Sequence, residues 1–275
     1  MSRYGPMFSA LAARGEGAFV PFVMLGYPDA ETSFRAIEAL LAHGADALEL
    51  GIPFSDPVAD GPVIQRAAAR ALAGGATVRG SLALVRALRG RHPEVPIGLL
   101  VYANLVVQGT AARFYRAAAD AGVDSVLVAD VPAIEAAPFA DAAREAEVEP
   151  VLLLPADATA DTVRRVARLG GGYTYLLARA GVTGAETRVR PPSTALLALL
   201  DAEGGAPPLV GFGISTPGQV RPMIGAGAAG VITGSAVVAL IERNAATSGA
   251  LDRALGEFAQ GMKAATREAR PLSPR

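Results

Sequence analysis

Apolar runs of strand length alternate with helix-periodic stretches along the whole chain. The strand candidates are Ala18–Leu25, Asp46–Gly51, Ile97–Tyr102, Ser125–Ala129, Glu149–Leu154, Tyr173–Leu177, Leu209–Phe212 and Gly230–Thr233. Between them lie amphipathic patterns. One opens at Asp29, placed as an N-cap, and carries the stripe Phe34, Ile37, Leu40 and Leu41. Another opens near Thr110 and carries Phe114, Ala118 and Ala121, and a third runs from Ser235 through Ile241. One junction recurs, a helix end followed by glycine and then a strand: at Ala42-His43-Gly44-Ala45-Asp46, at Asp120-Ala121-Gly122-Val123-Asp124 and at Gly225-Ala226-Gly227-Ala228-Ala229. Glycine just past a helix is the expected left-handed cap, so each junction marks an αβ unit. Strict alternation with eight strands predicts an α/β fold of the (β/α)8 TIM-barrel type, with an open doubly wound sheet as the alternative. An extra N-terminal helix (Met7–Ala13) and a C-terminal helix (Leu251–Thr266) flank it. No composition shift divides the chain, so residues 1–275 are expected to form one domain.

Composition narrows the chemistry. The chain has 275 residues, 51% of them hydrophobic, and 25 Lys+Arg against 26 Asp+Glu. The even balance argues against an electrostatic nucleic-acid or membrane-surface binder. Without cysteine there is no disulfide, thiolate nucleophile or thiolate-bound zinc, and two histidines, His43 and His92, cannot make a three-histidine metal site. No metal site is therefore expected. Lysine occurs once, at Lys263, which leaves no Schiff-base candidate before the C-terminal helix. The opening Met1–Pro6 lacks the design of a secretory leader. The uncharged run Pro222–Ile241 is interrupted by four glycines and reads as helix end, strand, turn and helix start, so a cytoplasmic protein is expected.

What remains is carboxylate, phenol, hydroxyl and backbone. In a TIM barrel the site lies at the C-terminal ends of the strands. Alternation along Asp46–Gly51 sends Leu48 and Leu50 toward the helices and Glu49 into the barrel, where loss of solvent suits a carboxyl to acid–base work. The proline-rich loop Ile52–Pro62 carries Asp56, read as a turn residue, and Asp60, which local physics leaves open between a turn and a functional role. Tyr173 and Tyr175 share one strand face. The segment Arg179–Thr187 is small, glycine-bearing and long enough for a lid. Strands seven and eight end in Gly211-Phe212-Gly213-Ile214-Ser215 and Thr233-Gly234-Ser235, where glycines admit a ligand to backbone N–H groups and Ser235 caps a helix whose dipole favours an anion. Together they predict a phosphate site. His43, at a helix C-terminus, and His92, on the opposite face of the barrel, read as structural.

The run Leu48-Glu49-Leu50-Gly51-Ile52-Pro53-Phe54-Ser55-Asp56-Pro57-Val58-Ala59-Asp60-Gly61-Pro62 resembles the signature of the tryptophan synthase α subunit. So do Tyr102-Ala103-Asn104, Asp124 to Pro132, Tyr173 to Glu186 and Gly211 to Ser215, and the similarity spans about Tyr4 to Thr266. Met24 and Ala156 depart from that pattern, outside the catalytic set. The resemblance implies a phosphate-binding barrel that cleaves indole-3-glycerol phosphate to indole and glyceraldehyde 3-phosphate. It makes Glu49 the acid–base that protonates the indole ring carbon and helps deprotonate the glycerol hydroxyl. Asp60 would accept from the indole N–H, and Tyr175 would orient Glu49 or the substrate. Phe22, Leu100, Tyr102, Leu127 and Phe212 would form the indole pocket. Thr183 would belong to the lid with Gly184, and Gly184, Gly213, Gly234 and Ser235 to the phosphate cradle. It further implies no cofactor in this chain, pyridoxal phosphate in a β partner, and an assembly of two α and two β chains. The rival expectations are a stand-alone indole-3-glycerol phosphate lyase, a non-catalytic barrel that activates a β subunit, and a different phosphate-barrel isomerase. The last would leave the Glu49–Asp60 loop unexplained.

Overall fold

The computed structural model describes residues 2–178, 190–247 and 249–267. The chain opens with helix α1 (Tyr4–Ala13), followed by β1 (Ala18–Met24), α2 (Ala30–Ala42) and β2 (Leu48–Gly51). Two helices, α3 (Pro62–Ala73) and α4 (Val78–Arg91), lead to β3 (Ile97–Val101), and two more, α5 (Ala103–Val107) and α6 (Ala111–Asp120), to β4 (Ser125–Val128). Single helices then alternate with strands: α7 (Ala137–Glu145), β5 (Glu149–Leu154), α8 (Ala160–Leu169), β6 (Thr174–Leu177), α9 (Thr194–Ala202), β7 (Pro208–Gly211), α10 (Pro217–Gly225), β8 (Gly230–Thr233) and α11 (Ser235–Asn244). Helix α12 (Ala250–Arg267) closes the described chain. The eight strands are parallel, each pairs with the next, and β8 pairs with β1. This is the expected TIM barrel, with its two flanking helices.

The local signals act as read. Asp29 accepts from the Thr32 N–H at 2.7 Å and Thr110 from the Arg113 N–H at 3.2 Å, capping α2 and α6. The recurrent junction glycines Gly44, Gly122 and Gly227 have φ of 112°, 87° and 106°. Some strand ends differ from expectation. Asp46 precedes β2: its N–H donates to the Phe19 carbonyl at 2.9 Å, and its carboxylate accepts the Phe19 N–H at 2.8 Å. Tyr102 lies beyond β3, at the N-cap of α5.

The N-terminal end of the barrel is closed by α1. Tyr4 is buried, its Oη lies 2.8 Å from Ser125 Oγ, and its ring lies 5.4 Å from that of Tyr173. Gly98 makes this possible, since a Cβ there would come within 2.8 Å of Ser125 Oγ and 3.1 Å of Tyr4 Oη. Beside it, Arg89 donates to Asp124 Oδ2 at 2.6 Å and to the carbonyl of Val95 at 2.7 Å, tying α4 to the start of β4. The lone Lys263 of α12 is also buried here, with Nζ 2.8 Å from Asp46 Oδ2, 3.0 Å from Glu16 Oε2 and 3.2 Å from the Gly17 carbonyl. Both histidines are structural: His43 Nδ1 meets the Ala39 carbonyl at 2.8 Å, and His92 Nε2 meets Glu38 at 2.9 Å.

Candidate active site

At the C-terminal end of the strands the barrel opens into a cavity of about 260 Å³. Glu49 projects into it from β2 and is 1% exposed. The register pairs Glu49 with Phe22 of β1 and with Gly98 of β3, so its neighbours offer no competing charge. Burial pushes its carboxyl up to about 8, against the opposing hydrogen bond from Tyr173, and the nearby Asp60 charge raises it further. Asp60, on the loop after β2, lines the same cavity and is pushed up to about 6 by burial, opposed by a hydrogen bond from Tyr102. Two carboxyls thus share one cavity with their ionisations spread apart. Near neutrality one holds a proton and the other has largely lost it, the division of labour that acid–base catalysis requires.

Of the two alternatives left open for Tyr175, contact with Glu49 is made by Tyr173 instead. Tyr173 Oη donates to Glu49 Oε1 at 2.8 Å, below the cavity, whereas Tyr175 lines the cavity and its hydroxyl accepts from the Phe212 backbone N–H. The phenol that holds Glu49 is therefore Tyr173, and Tyr175 is left to face a substrate. Gly211 provides the room for it, since a Cβ there would lie 2.2 Å from Tyr175 Oη.

Phe22, Leu100, Leu127 and Phe212 line the cavity. Tyr102 does not. Its ring is 2% exposed, and its Oη donates to Asp60 Oδ2 at 2.9 Å and accepts from the Ala59 N–H at 3.2 Å. Because β3 has ended at Val101, strand parity no longer governs where Tyr102 points. Ile64, Ala129, Leu153, Ile214 and Ile232 extend the apolar lining beyond the residues that the resemblance implies.

Opposite the carboxyls, the ends of β7 and β8 present backbone. Phe212 and Gly213 have successive φ of 65° and 94°, and Gly213, Ile214 and Ser215 line the cavity. Gly234, not Ser235, is the N-cap of α11 and supplies no side chain, so among the described residues no side-chain cap covers the start of that helix, whose first residues, Ser235 and Ala236, line the cavity wall. No lysine or arginine is among the described lining residues, so an anion here meets N–H groups and a helix dipole rather than a cation. Thr183, Gly184 and the rest of the lid segment lie outside the described residues.

A family model described as "Tryptophan synthase alpha chain" matches residues 8–267. The chain belongs to the tryptophan synthase alpha chain family. It is 54% identical to the tryptophan synthase alpha chain of Shewanella oneidensis, over 96% of this chain and 95% of that one. Its identity to the alpha chain of Escherichia coli is 53%, over 97% of this chain and 100% of that one. The crystal structure of tryptophan synthase subunit alpha from Legionella pneumophila superposes with a TM-score of 0.85 at 31% identity, covering 97% of this chain and 98% of that one. As a tryptophan synthase alpha chain this protein is a lyase of tryptophan biosynthesis, cleaving indole-3-glycerol phosphate to indole and glyceraldehyde 3-phosphate. The designation alpha implies a beta partner.

Proposed function

We propose that Glu49 and Asp60 carry this cleavage between them, with the ends of β7 and β8 holding the substrate phosphate. The observation that supports it is their shared cavity, with Glu49 held protonated by burial, Asp60 more acidic, and the start of α11, without a side-chain cap, on the far wall. Glu49 gives its proton to the indole ring carbon that bears the glycerol chain. Asp60, accepting from the indole N–H, stabilises the positive charge this creates. The Glu49 carboxylate then takes the proton of the adjacent side-chain hydroxyl. The carbon–carbon bond breaks, its electron pair returns to the ring, and the released carbon becomes the aldehyde. Glu49 ends protonated as it began, so neither metal nor cofactor is consumed. Tyr175 contacts the substrate, and Phe22, Leu100, Leu127 and Phe212 enclose the indole. Gly213, Gly234 and Ser235 cradle the phosphate.

A sign follows for pH. Asp60 must be ionised, so kcat/KM rises as pH climbs through about 6, and Glu49 must be protonated, so it falls as pH climbs past about 8. Asp60→Asn is expected to lose most turnover together with the acidic limb. A pH–rate profile of both proteins checks this, and unchanged kinetics in the variant would return Asp60 to a turn role.

Exposed large apolar side chains support the docking of a β chain at this end of the barrel. Val58, Val107 and Ile134 are 68%, 50% and 68% exposed, and they sit in the segments that follow β2, β3 and β4. The partner is a β subunit in an assembly of two α and two β chains, and indole passes to it directly. Pyridoxal phosphate belongs to that partner, since the one lysine here is committed to Asp46 and Glu16 at the other end of the barrel. No described helix is long and apolar enough to cross a membrane, in keeping with a cytoplasmic location. The test is indole release from indole-3-glycerol phosphate by the chain alone and with a β subunit added. Slow release that rises sharply with β is expected. Fast release alone would indicate a stand-alone lyase, and none in either arm would leave a barrel that only activates its partner.

A further inference from the structure

The loop from Ile52 to Gly61 must deliver Asp60 to the cavity, yet it contains no helix or strand and has exposed residues at Ser55, Asp56 and Val58. Its internal bonds are few and local: Val58 N–H to the Asp56 carbonyl at 2.9 Å, and Asp60 N–H to the Pro57 carbonyl at 3.0 Å. At its start the Ile52 N–H donates to the Leu100 carbonyl at 3.3 Å, and at its end Gln65 Nε2 donates to the Asp60 carbonyl at 2.9 Å; the tie that reaches the Asp60 carboxylate is Tyr102. One phenol oxygen bonds two consecutive residues of the loop, accepting from the Ala59 N–H and donating to Asp60 Oδ2. The Phe54 ring, at the loop's other end, stacks on the same phenol at 5.2 Å and 23°. Tyr102 is itself fixed from behind: it is the N-cap of α5, and the next N–H, that of Ala103, donates to Asp130 Oδ1 at 2.7 Å. A chain of contacts therefore runs from the segment after β4, through the end of β3, to the carboxylate.

We propose that Tyr102 is a positioning residue that fixes the place and ionisation of Asp60, rather than a wall of the indole pocket. This rests on the reading of Asp60 as the partner of the indole N–H. The phenol can do this because it donates to the carboxylate and so favours its charged form, offsetting burial. The other titratable groups facing Asp60 are Glu49 of β2 and Tyr175 of β6, both of which feel its charge, and neither donates to it. With no lysine or arginine in the described lining, Tyr102 is the donor side chain that the described residues supply to this carboxylate. The hydroxyl adds little to substrate affinity, because the ring does not reach the cavity. It acts on the step in which charge develops on the indole nitrogen.

Tyr102→Phe keeps the ring and its stacking on Phe54 and removes one oxygen. Its kcat is expected to fall about tenfold with KM within about twofold, as for loss of an interaction made in the transition state. The acidic limb of the kcat/KM profile should move up by about one pH unit. Asp130→Ala, which frees the Ala103 N–H without touching the phenol, should shift both quantities the same way by less. It serves as the second variant should Tyr102→Phe fold poorly. A rise in KM with unchanged kcat would make Tyr102 a pocket wall and overturn the proposal, as would an unmoved acidic limb. Asp60→Asn separates the two levels: near-normal turnover there removes the role of Asp60 itself. Lost turnover in Asp60→Asn beside an unaffected Tyr102→Phe overturns only the positioning role.

Discussion

Glu49→Gln is expected to lower kcat for indole release by on the order of 10⁴-fold, because one carboxyl both gives and takes the proton and an amide does neither. The same substitution should make the protein more stable in alkali. The folded chain holds Glu49 near pKa 8 against an ordinary value of 4.5, so it favours the protonated form. That preference contributes fully below about pH 4.5. It is lost as pH rises toward 8, because the unfolded chain ionises first and the folded chain must be forced to follow. Glutamine carries no such burden. Urea unfolding at pH 5 and pH 8 should therefore show variant and parent close together at the lower pH. At the higher pH the variant should lead by on the order of 4 kcal/mol. Near-normal turnover would remove Glu49 from the mechanism, and a stability gap that fails to widen with pH would remove the buried neutral carboxyl.

Lys263→Met should produce the second large effect, on stability rather than chemistry. Nζ of Lys263 lies within 3.0 Å of both Asp46 and Glu16, and all three side chains are about nine-tenths buried. Removing the cation leaves Asp46 buried without its ion pair, whereas Glu16 keeps Arg267 at 2.9 Å and Arg14 at 3.3 Å, a loss of about 3–5 kcal/mol and roughly 10 °C in Tm. The sign with pH is fixed by Asp46. Burial already raises its pKa, with Lys263 opposing, and without Lys263 it rises further. A raised carboxyl contributes stability at low pH that is lost as pH increases, so the deficit should be smallest in acid and grow toward neutrality. Adding Asp46→Asn to Lys263→Met should recover part of it. Thermal melts of the single and double variants across pH measure both effects, and a single variant that melts like the parent would show the cluster to be without consequence.

Much of the barrel was legible because its signals are local. Asp29 and Thr110 announce their helices within four residues, and the glycines at 44, 122 and 227 announce the returns to β2, β4 and β8. The inward direction of Glu49 followed from period-two alternation on a strand with leucines on its other face. Which phenol meets Glu49 did not follow. Tyr173 and Tyr175 share a face, and the layer each occupies depends on the stagger between β2 and β6, which no single strand encodes. The direction of Tyr102 is not legible for a related reason, since it follows the last residue of β3, where no strand period sets where a side chain points. Ser235 as a cap failed by one position, as glycine serves where the backbone itself must face a ligand. Lys263 and Asp46 stand 217 residues apart, beyond any local pattern.

The burial of Lys263 has a practical side. It is the only side-chain amine in the sequence, and in the folded protein it is 6% exposed. Amine-directed crosslinkers and labels therefore find no lysine on the native surface. Lys263 becomes reactive only when α12 lifts away from Asp46, so its rate of acylation counts openings of the barrel's closing helix, a clock already installed in the native chain.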